Sequence, residues 1–169
     1  MICQYLMHGA VSDGWEATYF STDGLGADIG QQMNSIGLDL PSDADQDRLS
    51  VRPIHKASPR EDAGAPIDES AAEIESLPQI CRLVVVDDIT RTAMLSEPRE
   101  ITGFFSRFQR LCSVGRAFVV VSQSAAFEPS LLSRLHQLCN SHLSMPNDSV
   151  RGRLVSRLSA TNLNNVEKA

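Results

Sequence analysis

Lysine is nearly missing from this chain. Only Lys56 and Lys168 occur, beside thirteen arginines, and the acids outnumber the bases to leave a net charge of -6. A balance of that sign, with no basic stripe evident, argues against nucleic acid or an anionic membrane surface as the main partner. Zinc spacing is missing too. Cys3, Cys81, Cys112 and Cys139 stand far apart, each in an apolar stretch, and read as buried free thiols. No apolar run approaches ~18 residues, and the N-terminus has no basic segment leading into an apolar one. Neither a membrane span nor a signal peptide is therefore predicted, and the chain reads as cytoplasmic. There is no nucleophile elbow. His8, His136 and His142 read as surface or satisfied core residues, and His55 has no partner at metal-ligand spacing. Most consequential, no Gly-Lys-Ser or Gly-Lys-Thr occurs among the 169 residues. They therefore do not contain the Gly-rich loop whose backbone N–H groups cradle phosphates.

What is present has an ordinary globular composition, 42% apolar and 21% charged, and is long enough for a real core. One domain is predicted over residues 1–159, with a polar tail over 160–169. Apolar residues at helical spacing predict helices over Ile2–Asp13, with Ile2, Leu6, Ala10 and Tyr5 on one face and Gly14 closing it, and over Asp28–Ile36, with Ile29, Met33 and Ile36 inward. Ile101, Phe104, Phe105, Phe108, Leu111 and Cys112 form one helical stripe, and a further helix begins at Pro129. Glu69–Leu77 reads as a short acidic helix stopped by Pro78. Ala17–Thr22 and Leu49–Ile54 read as strands, and Lys56–Ile67 as a loop. Arg82–Val86 and Ala117–Ser122 are apolar on both faces, as strands buried inside a parallel sheet are. His142–Met145 and Arg153–Leu158 read as later strands able to pair as a hairpin. Strands alternating with helices predict an α/β fold with a largely parallel sheet. Its ligand would sit beyond the carboxyl ends of the strands.

Three strand ends carry polar residues there: Thr22-Asp23, Asp87-Asp88 and Ser122-Gln123. The second closes the segment "CRLVVVDDIT". A carboxylate at the end of a buried strand is costly unless it has a task or a partner. Asp87 in that place suits a Mg²⁺ ion on nucleotide phosphates, held through water; it equally suits a cap for the following helix. Asp88 reads as its neighbour, accepting backbone or water hydrogen bonds. Asp23 is either an acid that polarises an attacking water or a turn residue before Gly24. Ser122 and Gln123 are either within reach of a phosphate or plain loop polarity. The candidate site is thus Asp87, Asp88, Ser122 and Gln123 for the nucleotide, with Asp23 as the candidate catalytic acid.

Four stretches carry a family resemblance: "ICQYLMHGAVSDGWEATYFSTDG", "ADIGQQMNSIGLDL", "CRLVVVDDIT" and "AFVVVSQSAAFEPSLLSRLHQLCNSHLSM". Spanning most of residues 2–145, they resemble the RecA/KaiC-like ATPases, and most closely the FlaH family of archaellum (archaeal flagellum) accessory proteins. The resemblance implies a RecA-like sheet with ATP and Mg²⁺ as ligands. It places the Mg²⁺ acid at Asp87 and the catalytic-acid position, usually Glu, at Asp23. It also implies that "ICQYLMHGA" is the helix that follows the Gly-Lys-Ser/Thr loop. The expectation is that the first strand and the loop lie upstream of Met1, either through a late start assignment or because a degenerate paralogue has given up ATP. The implied function is a regulatory nucleotide-binding-type subunit of the archaellum motor, its ATP binding impaired and its hydrolysis weak or absent. Its implied partners are the motor ATPase and the ring or scaffold proteins, with a homo-oligomeric ring in reach. Its implied place is the cytoplasmic side of the motor base, without insertion into the membrane. The alternatives are a KaiC- or recombinase-like ATPase and a pseudo-ATPase used as an interaction module.

Overall fold

The first helix, α1 (Ile2–Ser12), buries Cys3, Met7, Ala10 and Val11, whereas Leu6 and Tyr5, read from the sequence as sharing the apolar face with Ile2 and Ala10, are exposed. Gly14, at φ 82°, ends it in the left-handed conformation that glycine adopts without penalty. A computed structural model describes residues 2–21, 29–39, 47–54, 66–150 and 153–161. After α1 come β1 (Glu16–Ser21), α2 (Ile29–Ser35), β2 (Leu49–Pro53), α3 (Pro66–Glu75) and β3 (Cys81–Asp87). They are followed by α4 (Thr90–Met94), α5 (Pro98–Cys112) and β4 (Ala117–Val120). These elements belong to one compact unit, Met1–Phe127.

The unit is built on a four-stranded sheet in the order β2-β1-β3-β4. All its pairings are parallel. Of the two apolar runs expected to be buried on both faces, one is: Val84, Val85 and Val86 are fully buried in β3, whereas β4, last in the sheet order, has Ala117 exposed and Phe118, Val119 and Val120 half-buried. One face carries Ala17, Tyr19, Leu83 and Val85, packed with residues of α1 and with Ile29, Met33 and Leu38. On β4, Phe118 stacks flat on Phe108 of α5, with ring centroids 4.6 Å apart. Phe108 in turn meets Phe104 edge-on at 4.1 Å. The predicted α5 stripe is narrower than expected. Ile101, Phe104 and Phe108 are buried, while Phe105, Leu111 and Cys112 are half-buried. The helix starts three residues early because Pro98 fits its first turn and the Glu100 carboxylate accepts the Glu97 N–H at 2.7 Å.

The edge strand β2 carries Arg52 and Pro53, residues that discourage further pairing. At the other pole of the sheet, buried Arg116 donates from one terminal nitrogen to the carbonyls of Leu77 and Pro78, at 2.5 and 2.8 Å. A guanidinium thus satisfies the backbone just past α3, where carbonyls run out of helical partners.

The second unit, Glu128–Ala169, contains α6 (Pro129–Leu138), β5 (His142–Ser144), β6 (Asn147–Val150), β7 (Arg153–Ser156) and β8 (Ser159–Thr161). Three expectations are corrected here. The late strands do not pair with each other; β5 pairs with β8 and β6 with β7, both antiparallel. Residues just after Ser159, expected to be a frayed tail, form β8 instead. Both misses have one cause: Asn147–Val150 and Ser159–Thr161 are too polar to show a hydrophobic period, while backbone ladders need none. Nor is His136 a satisfied residue. Its ring lies 3.8 Å from that of His142, and among the described residues its buried Nε2 has no hydrogen-bond partner. Burial first, and then His142, pulls its pKa below the ordinary imidazole value. The short helix α4 was not foreseen, since five residues are too few to display a period. The proposed Lys56–Ile67 loop lies outside the described residues except at its end, where Pro66 and Ile67 already belong to α3.

Candidate functional site

Parallel pairing brings the carboxyl ends of β1 and β3 level, so that Ser21 stands opposite Asp87. On the other side Val86 stands opposite Val120, and the ladder runs on through Val121, whose N–H donates to the Val86 carbonyl at 2.9 Å. The first turn of α1 lies at the same end. Burial and then the nearby Asp87 carboxylate push the Cys3 thiol up to about 11. A helix N-terminus and a carboxylate therefore share the crevice end of the sheet, where ligands of open α/β folds bind.

Asp87 is half-buried. The Tyr19 hydroxyl donates to its Oδ2 at 2.6 Å. Asp88 faces a different task. Its Oδ1 accepts the Thr90 N–H at 2.8 Å and the Thr90 hydroxyl at 2.5 Å. The Thr90 Oγ1 then accepts the Gln123 N–H at 2.8 Å. The Ile89 N–H donates to the Val121 carbonyl at 3.0 Å, a second tie between the turns after β3 and β4. The peptide bond between Asp87 and Asp88 is cis. Asp88 is thus joined to Gln123 through Thr90, and its carboxylate organises a turn as the neighbour reading expected. The Ser122 and Gln123 side chains are exposed at the end of β4. Asp23 lies outside the described residues.

Tyr19 and Thr90 were not among the expected site residues. Each had a signal. A tyrosine inside a buried strand needs a partner for its hydroxyl. A threonine two residues after an aspartate is the pattern of a local side-chain-to-backbone turn.

The donor set fits Mg²⁺ in one respect. That ion keeps most of its waters and takes one or two carboxylates with substrate phosphates, and Asp87 supplies such a carboxylate. Among the described residues no group of three or more His, Cys, Asp or Glu could hold a metal on its own. For the phosphates, the described residues offer the first-turn N–H groups of α1, the kind of donors anions use.

The neighbourhood of Cys3 and Asp87 can be read chemically. An unfolded thiol ionises at the ordinary 9.0 and the folded one at about 11. The stability this raised pKa contributes is full below the first value and is lost as pH rises toward the second. At about pH 8, Cys3 is expected to resist iodoacetamide in the folded protein and to react in urea. Asp87→Asn should shift the Cys3 ionisation part of the way down, because burial, the larger cause, remains. Site-resolved mass spectrometry across pH checks both. An unchanged Cys3 profile in Asp87→Asn would separate α1 from the carboxylate.

A parallel sheet layered with helices, carrying a carboxylate at the end of an inner strand, defines an open α/β fold and agrees with a RecA-like one. No protein-family model matches the sequence. No curated protein matches it either. Among solved structures, the chain is similar to the crystal structure of flagellar accessory protein FlaH from Methanocaldococcus jannaschii, with a TM-score of 0.70 and 14% identity. The match covers 96% of this chain and 72% of that one. At that identity the likeness establishes the shared fold.

Proposed function

We propose that this chain is a regulatory, nucleotide-binding-type subunit of an archaellum motor complex. In this reading it responds to ATP–Mg²⁺ occupancy more than to turnover. The observation that carries the proposal is Asp87, set at the end of β3 beside the first turn of α1, in a fold similar to that of a flagellar accessory protein. Asp87 would hold Mg²⁺ through water, and α1 would offer N–H groups to phosphate. With no Gly-Lys-Ser/Thr in the sequence, these residues bind the nucleotide weakly. Rapid hydrolysis is not proposed. The position the resemblance gives to a catalytic Glu holds Asp23, one methylene shorter.

The partners that fit are the motor ATPase and its surrounding ring or scaffold proteins, or further copies of the chain in a ring. Among the described residues no helix is long and apolar enough to cross a membrane. A position at the cytoplasmic side of the motor base is part of the same proposal. A second reading, a pseudo-ATPase used only for docking, is favoured by one observation: the Asp88 carboxylate is engaged in shaping its own turn.

Co-precipitation with the archaellum motor ATPase, with and without ATP–Mg²⁺, tests the assignment. Retention that changes with ATP–Mg²⁺ is expected. Retention indifferent to nucleotide would favour the docking module. Failure to retain the ATPase under either condition would sink the motor assignment.

A further inference from the structure

Tyr19 is a phenol set inside an apolar layer. It is 7% exposed and packs in the cluster that holds Cys3, Met7, Leu83 and Val85. In the ladder it stands opposite Val85, two residues before Asp87 on the same face of β3. From there its hydroxyl reaches diagonally to the Asp87 carboxylate at 2.6 Å. We propose that Tyr19 is a positioning residue for the divalent cation. It holds Oδ2 of Asp87 and so fixes Oδ1 as the oxygen presented to the cation or to its bound water. The inference rests on the nucleotide reading above and deepens it.

The physical ground is the freedom of an aspartate. A carboxylate at a strand end turns about two bonds, and one charge-assisted hydrogen bond of this length stops that rotation. Carboxylates that bind metals are themselves commonly hydrogen-bonded, and losing such a partner costs roughly 10–100-fold in metal affinity. The plainer role is that Asp87 merely satisfies a buried phenol. That role predicts a loss of stability in Tyr19→Phe and no dependence on the cation, so the two can be separated.

The probe is Mn²⁺–ATP, whose paramagnetic ion suits carboxylate oxygen and broadens nearby NMR signals. The full chain and Tyr19→Phe are compared through the amide signals of Thr90 and Gln123, with metal-free ATP as the reference. Tyr19→Phe should need roughly tenfold more Mn²⁺–ATP for equal broadening, while its response to metal-free ATP stays unchanged. Equal concentration dependence in the two proteins would overturn the positioning role and leave the nucleotide reading standing. No broadening at Thr90 and Gln123 in the wild type would sink the nucleotide reading, and the positioning role with it.

Discussion

Phe104→Ala is expected to cost about 3–5 kcal/mol, a large share of the stability of a domain this size. Phe104 is fully buried. Its ring meets Phe105 at 5.7 Å and Phe108 at 4.1 Å, both edge-on, and Phe108 carries the contact onward to Phe118 of the sheet. Truncation removes the ring that links Phe105 to Phe108 in this aromatic column and leaves a cavity at a fully buried position. Urea unfolding measures the effect as a lower midpoint at constant slope. Phe105→Ala, at a half-buried position on the same helix, should lose less. A cost below about 1 kcal/mol for Phe104→Ala would mean that α5 is not packed as described.

Asp87→Ala is the second large effect, and it falls on binding. Among the described residues at the ends of β1, β3 and β4, Asp87 supplies the one negative charge that is not committed to shaping the β3–α4 turn. Its removal should reduce ATP affinity in Mg²⁺ to the level seen without Mg²⁺. Alanine also removes the carboxylate oxygen that accepts from the Tyr19 hydroxyl, so part of its effect falls on stability. Asp87→Asn is therefore the cleaner companion: it keeps an oxygen for Tyr19 and removes the charge. If both variants lose the Mg²⁺-dependent part, the charge is responsible. If only alanine does, the hydrogen bond is what matters.

The sheet was legible wherever burial on both faces leaves a mark. Leu83–Val86 could hardly be anything but an inner strand, and Ile101, Phe104 and Phe108 stated the buried face of α5 directly. Asp87 was legible for the same reason, as an acid placed where an apolar strand stops. What the sequence concealed lies in pairings across distance. Tyr19 and Asp87 are 68 residues apart and meet only once β1 lies against β3 in register. Thr90 gains its role only when the turn after β4 comes alongside. β8 has no apolar signature because its stability lies in backbone hydrogen bonds to β5. The RecA-like architecture was read from four stretches of resemblance, and the similarity to FlaH bears out that fold at 14% identity.

The most direct measurement is an ATP titration of the chain with and without Mg²⁺, followed by NMR, with Asp87→Ala and Asp87→Asn beside it. The wild type is expected to show weak, saturable binding, with a dissociation constant on the order of 1 mM, or about 4 kcal/mol. That binding should depend on Mg²⁺ and move the signals of Asp87, Thr90 and Gln123, and both variants should lose the Mg²⁺-dependent part. Binding that is unaffected by Mg²⁺ and by either substitution, or no binding at all, would contradict the claim that Asp87 is the cation-holding half of a nucleotide site.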